Sequence, residues 1–135
     1  MTYDTLLSGI VTQLSTKLTG TATVEKVVPY KKAGTTAIVY VYPNLYNSTP
    51  IRLRRVNKTF TFNIAVEKTC RLEADYVSLW GVAEKIYEVF EVLDDYVVVN
   101  SICFMTRSIS ARYYKDTDDM AYVVISVSLE QLSDD

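Results

Sequence analysis

Clustered carboxylates are the first residues of this sequence to consider for chemistry. Asp116-Thr117-Asp118-Asp119 has the spacing of oxygen ligands at the start of a calcium-binding loop. Such a loop also needs a glycine at its sixth position and a glutamate at its twelfth, where this sequence has Ala121 and Val127. The segment is therefore interpreted as a solvated loop and no metal is expected there.

A second carboxylate set, Glu84, Glu88 and Glu91, shares one face of a predicted helix. A carboxylate-bridged metal centre in a helical protein would also need an inward-facing Glu-x-x-His, and the sequence has no histidine. These glutamates are interpreted as a solvated or partner-facing helix surface.

The absence of histidine excludes several classes of enzyme. It removes Ser-His-Asp and Cys-His nucleophilic catalysis, histidine-ligated zinc and the usual proton-transfer group near neutral pH. The four glycines form no phosphate-binding loop. We therefore expect no enzyme and no cofactor, and a small enzyme that uses carboxylates or tyrosines remains the alternative.

Cys70 and Cys103 are far apart and form no CxxC motif. Both are expected to be small buried hydrophobic residues, reduced and unlinked, which fits a reducing compartment. No apolar run is long enough for a membrane span, and the first residues lack the basic region of a signal peptide.

The hydrophobic periodicity predicts two helices. Apolar residues at helical spacing indicate helix one over residues 3–18, with Thr2 as its N-cap and Gly20 at its end. Helix two covers residues 72–93, with an apolar stripe widened by Trp80 and an acidic opposite side.

The remaining segments predict strands joined by short links. Residues 59–66 alternate strictly and are the clearest strand, and residues 44–50 and 111–119 are predicted exposed loops. The other predicted extended segments are residues 21–30, 37–42, 51–56, 96–105 and 121–129. The predicted fold is α+β, one domain over residues 1–135: a mostly antiparallel sheet of about five to six strands, with the long helix packed across it and a second, N-terminal helix.

Tyrosine is abundant, with 11 residues in the chain. Tyrosine is enriched at protein interfaces, where the ring is buried while the hydroxyl keeps a polar partner. The candidate partner contacts are the aromatic and apolar residues in or beside the predicted loops: Tyr42, Leu45, Tyr46, Tyr113 and Tyr114.

Charge is unevenly distributed along the chain. Every charged residue between Lys26 and Val66 is basic, whereas between Glu73 and Asp95 only Lys85 opposes the acidic residues. This charge distribution has three possible explanations: two ordinary solvated faces, self-association, or proximity of the basic hairpin to nucleic acid. If subunits associate, the candidate interface residues are Arg52, Arg54, Arg55 and Lys58 with Glu84, Glu88 and Glu91.

The layout of the whole chain resembles the tail terminator (tail-to-head joining) proteins of long-tailed bacteriophages. The resemblance rests on an opening helix at Tyr3-Asp4-Thr5-Leu6-Leu7, proline-bounded segments near Pro43 and Pro50, and the alternating strand Phe60-Thr61-Phe62-Asn63-Ile64-Ala65-Val66. A long helix with Ala74, Leu79, Ala83 and Ile86 and two closing strands complete it.

The resemblance implies a structural, non-enzymatic virion protein, assembled in the host cytoplasm, that forms a hexameric ring. The ring would cap the tail tube, stop its growth and join the tail to the head. Its partners would be further copies of this chain, the tail tube protein and a head-completion protein, with DNA near the ring lumen. A head-completion or connector protein, a small enzyme and a dimeric binding module are the alternatives.

Overall fold

The computed structural model describes residues 2–26, 36–52, 55–91, 96–115 and 119–131. The elements, in chain order, are α1 (Tyr3–Lys17), β1 (Ala22–Lys26), β2 (Ala37–Arg52), β3 (Arg55–Thr69), α2 (Glu73–Phe90), β4 (Val97–Val99), β5 (Ile102–Lys115) and β6 (Met120–Gln131).

The strands form one six-stranded sheet in the order β1-β2-β3-β6-β5-β4. β1 runs parallel to β2, and each of the other neighbouring pairs is antiparallel. The α+β prediction is confirmed, with the refinement that the sheet is mixed.

The core lies on one face of the sheet, beneath both helices. Phe62 on β3 is opposite Val127 on β6, and both are fully buried because period-two alternation sends every second residue to the same face. Phe90 of α2 packs edge-to-face on Phe62 with ring centroids 5.7 Å apart. Fully burying such a side chain contributes about 1.5–3 kcal/mol.

α1 begins and ends where its capping residues predict. The N–H of Thr5 donates to Oγ1 of Thr2 at 3.1 Å, and Gly20 follows the helix with φ of 77°. α1 contacts β1 and β2 at one edge of the sheet and also β4 at the other. At the β4 end, the side-chain amide of Asn100 donates to the carbonyl of Thr5 at 3.0 Å. One helix reaches both edges, so the sheet curls around α1.

The predicted loop at residues 44–50 is wrong, because these residues belong to β2. Their partners on β3 run from Leu45 opposite Thr61 to Pro50 opposite Val56, and residues 53–54 lie outside the described residues. The turn-forming residues are tolerated because β-bulges interrupt the register after Pro43 and after Pro50. The predicted strands 37–42 and 51–56 are therefore parts of β2 and of the β2–β3 hairpin.

The predicted loop at residues 111–119 is also wrong over its first half. β5 continues to Lys115, opposite Ala121, and residues 116–118 lie outside the described residues. The predicted strand 96–105 is instead a hairpin, since β4 and β5 are joined by Asn100 and Ser101, whose φ angles are 52° and 64°. Two consecutive positive φ values are typical of a type I′ hairpin turn.

The expectation for the cysteines holds for only one of them. Cys70 is buried and Cys103 is exposed, and both are free thiols. Cys103 lies opposite Val98 on the short hairpin, where both side chains point away from the core. Among the residues that the structure describes, neither helix combines the length and apolar character needed to cross a membrane.

Candidate partner-binding groove

A groove of about 420 Å³ runs between α2 and the outer part of β5. α2 lies mainly over β3 and β6. It therefore does not cover the edge of β5 that faces away from β6. Ala83 and Tyr87 line the groove from the helix, and Ala111 and Tyr113 line it from the strand. The hydroxyl of Tyr87 donates to the carbonyl of Ile109 at 3.3 Å and thereby ties the helix to the strand.

One margin of the groove is an open strand edge. β4 is short and pairs with β5 only from Ile102 to Phe104. Over residues 105–115, β5 has β6 on one side and, within the described part of the chain, no strand on the other. Such an edge presents backbone N–H and C=O groups to which a further strand can hydrogen-bond.

Exposed aromatic and apolar side chains surround the groove. Tyr113 is 57% exposed and Trp80 is 42% exposed, while Val77, one turn before Trp80, is 55% exposed. Trp80 and Tyr113 line one pocket together with Glu84. Aromatic rings concentrated in a concave surface are typical of protein-binding sites.

The other margin of the groove is acidic. Glu84 and Glu88 line it, both are exposed, and neither forms an ion pair with any described residue. Glu91 follows as the C-cap residue, and the last turn of α2 has no basic residue. The helix dipole places further negative partial charge at this end, so the acidic margin would be stabilised by a cation.

The predicted basic residues lie on a separate structure, the hairpin formed by β2 and β3. The pairing of β3 with β6 begins at Thr59, which is opposite Glu130. Residues 48–52 and 55–58 therefore form a two-stranded extension, named here the ribbon, beyond the end of β6. Arg52, Arg55 and Lys58 lie on the ribbon, and Arg54 lies outside the described residues.

The predicted contact tyrosines are divided between two faces. Tyr113 lies in the groove, whereas Tyr114 stacks on Tyr122 on the sheet face that carries no helix, with centroids 4.9 Å apart. On that outer face Tyr42 stacks on Tyr40 at 5.8 Å. Leu45 is 58% exposed, and the side chain of Tyr46 lies outside the described residues.

Sequence reasoning missed Trp80 and Ala111 as groove residues. The hydrophobic periodicity predicts Trp80 in the buried stripe of the helix, although it directly follows the buried Leu79 and is turned by about 100° from it. That offset was the available signal. The sequence predicts a loop at Ala111, and nothing in its local sequence indicates the strand edge.

Two ion pairs away from the groove connect elements of the fold. Glu130, 6% exposed, pairs with Arg107 at the bulge of β5, and Lys26 pairs with Asp4 between β1 and α1. Within the described ranges, no cluster of acidic or cysteine side chains could hold a metal ion.

Comparison with known families and curated proteins finds no relative. No family model matches the chain. No curated protein matches it.

Solved structures do share its fold. One matches with a TM-score of 0.66 and 18% identity, and the match covers 98% of this chain and 97% of the other. Another is a chain from the virion of a native gene transfer agent particle, with a TM-score of 0.52, 19% identity and 93% of both chains covered. At these identities the similarity establishes the fold.

Proposed function

We propose that this chain is a structural virion protein that forms a ring at the head-proximal end of a phage tail tube. The ring ends tail growth and joins the tail to the head. The observation that carries the proposal is the fold shared, over 93% of both chains, with a protein from a gene transfer agent virion. The resemblance of the chain to tail terminators supports the more specific role.

The surface chemistry supports self-association. An acidic groove with an open strand edge and a basic ribbon are different surfaces on one subunit. A two-fold dimer that paired either surface with its own copy would place like charges together, whereas a head-to-tail contact pairs opposite charges. Head-to-tail contacts that close under rotation form rings.

The outer face of the sheet is available for the tube and the head-completion protein. It carries the stacked pairs Tyr40–Tyr42 and Tyr114–Tyr122 and no helix among the described residues. These rings present apolar area with polar hydroxyls, which suits contact with a second protein. No catalytic step and no cofactor belong to the proposal.

The assembly state tests the ring directly. Gel filtration with light scattering, followed by native mass spectrometry, should show a closed homo-oligomer, with a hexamer expected. The ring would be overturned, and the binding module favoured, if the protein stayed a monomer or dimer at every concentration up to the one it reaches in cells that are assembling virions.

The specific role is tested in particles. A stop codon in this gene should produce tails of uncontrolled length that carry no heads, with complementation in trans as the control. Tails of normal length that fail to join heads would instead identify a connector protein.

A further inference from the structure

We propose that the ribbon of one subunit docks in the α2–β5 groove of the next subunit and extends the sheet at the open edge of β5. This inference rests on the self-association proposed above and names the surfaces that perform it. The partner is a second copy of this chain.

The ribbon is a structure that needs a partner. Over residues 55–58, β3 pairs with β2 and, among described residues, with no other strand. An isolated two-stranded hairpin is marginally stable in water, and a third strand or a packed surface is required to hold it. The unpaired edges of the ribbon can supply backbone hydrogen bonds to a neighbouring strand.

The groove offers the ribbon a neighbouring strand and an apolar surface. Residues 105–115 of β5 provide a long open edge, and Tyr113 and Trp80 provide apolar area beside it. A strand added there would cover both rings.

Charge selects this pairing over others. Every charged residue of the ribbon is basic, and the carboxylates of the groove, Glu84 and Glu88, have no ion-pair partner among the described residues. Exposed ion pairs contribute roughly 0.2–1 kcal/mol each, so they orient the contact while the aromatic rings and strand pairing supply most of the affinity.

The topology makes the contact intermolecular. The ribbon continues β2 and β3, and β6 and β5 lie between β3 and the open edge. A subunit cannot fold its own ribbon across these strands without breaking the sheet. The ribbon therefore reaches a groove on another copy, and where two subunits do not exchange ribbons reciprocally this gives a head-to-tail chain of contacts.

Two complementary variants test the contact. The ribbon variant is Arg52→Glu with Arg55→Glu, and the groove variant is Glu84→Lys with Glu88→Lys. Alone, the groove variant sets like charges against each other at every contact, and the ribbon variant, which keeps Arg54 and Lys58, loses the net positive charge that attracts it to the groove. In both cases the association should weaken by about tenfold or more. Mixed in equal amounts, the two variants can alternate around a ring. At each contact, positions 52 and 55 of one subunit and positions 84 and 88 of the next then carry opposite charges, so oligomers should reappear. One chain carrying all four substitutions should also assemble.

Controls separate this inference from the proposed function. Lys17→Glu on α1 and Glu73→Lys at the start of α2 alter charge outside both surfaces and should assemble as wild type does. Circular dichroism checks that each variant folds. High salt should reduce the difference between the variants and wild type.

Each outcome decides one of the two ideas. If wild type forms rings and both variants assemble equally well at low salt, this contact is wrong and the ring stands. If both variants fail but neither their mixture nor the fourfold variant assembles, the two surfaces do not meet and the contact is again wrong. If wild type itself does not self-associate, the proposed ring fails.

Discussion

Asp75 shows how one carboxylate can determine where a helix begins. Its Oδ2 accepts the N–H groups of Arg71 and Leu72, each at 3.0 Å. The N-cap residue is Leu72, which has no side-chain acceptor. Asp75, at the third helical position, therefore provides the half of a capping box that reaches back to the preceding backbone. These hydrogen bonds lower the pKa of Asp75 because they stabilise its charged form.

Asp75→Asn should therefore destabilise the protein in a pH-dependent way. A depressed folded pKa means that the carboxylate stabilises the fold above its unfolded pKa, about 3.9, and that this contribution is lost as pH falls through the folded pKa. Urea unfolding should show the variant less stable than wild type at pH 7, with a smaller difference near pH 3. Glu73→Gln, in the same first turn, is the control. A difference that stays constant with pH would show that the charge of Asp75 has no role.

At the scale of elements, α1 and β4 approach so closely that a glycine is required between them. A Cβ on Gly9 would lie 2.6 Å from Cγ1 of Val99 and 2.8 Å from Nδ2 of Asn100. Val99 is fully buried and β-branched, so it has little freedom to move. Gly81 in α2 provides the contrast, since nothing lies within 4 Å of a Cβ there.

The two glycines should respond in opposite ways to replacement by alanine. Gly81→Ala should raise the free energy of unfolding by about 0.5–1 kcal/mol, because alanine has the higher helix propensity. Gly9→Ala should lower it, because over-packing costs about 1–3 kcal/mol and exceeds the propensity gain. Chemical denaturation of both variants beside wild type measures this. Stabilisation by Gly9→Ala would show that the β4–β5 hairpin can move away from α1.

Element prediction from the sequence succeeded where burial imposes a period and failed where it does not. α1, α2 and β6 each bury one regular face, and their predicted bounds are close to those observed. Residues 44–50 have the composition of a turn, and their partners on β3 lie elsewhere in the sequence. No local pattern could show that pairing with β3 would hold them extended.

At the scale of the whole molecule, two parts of the curled sheet, the outer part of β5 and the ribbon, have no further strand beside them among the described residues. α1 closes the sheet by contacting both of its edges, whereas the long β5 and the ribbon extend beyond their neighbours. Both extensions carry strand edges, which proteins generally cover, twist or charge to avoid uncontrolled pairing. A ring that covers both would remove these exposed edges.

Hydrogen exchange should report this covering. Amides in residues 105–115 and 55–58 should gain protection together when subunits assemble, because the same contact covers both. Amides in the middle of α1, which are already in a helix packed against the core, serve as the internal control. Protection gained by one region without the other would show that the two do not contact each other.

By itself, the sequence determined the two helices and the separation of charge along the chain. The absence of histidine, the 3.6-residue periodicity and the long basic and acidic segments are properties of the chain that need no partner strand. The tertiary structure alone decided that β4 ends after three residues and that β3 outreaches β6. It also decided that Trp80 and Cys103 face outward. Strand pairing joins residues distant in sequence, so the positions of open edges, and with them the groove, arise only when the whole sheet is assembled.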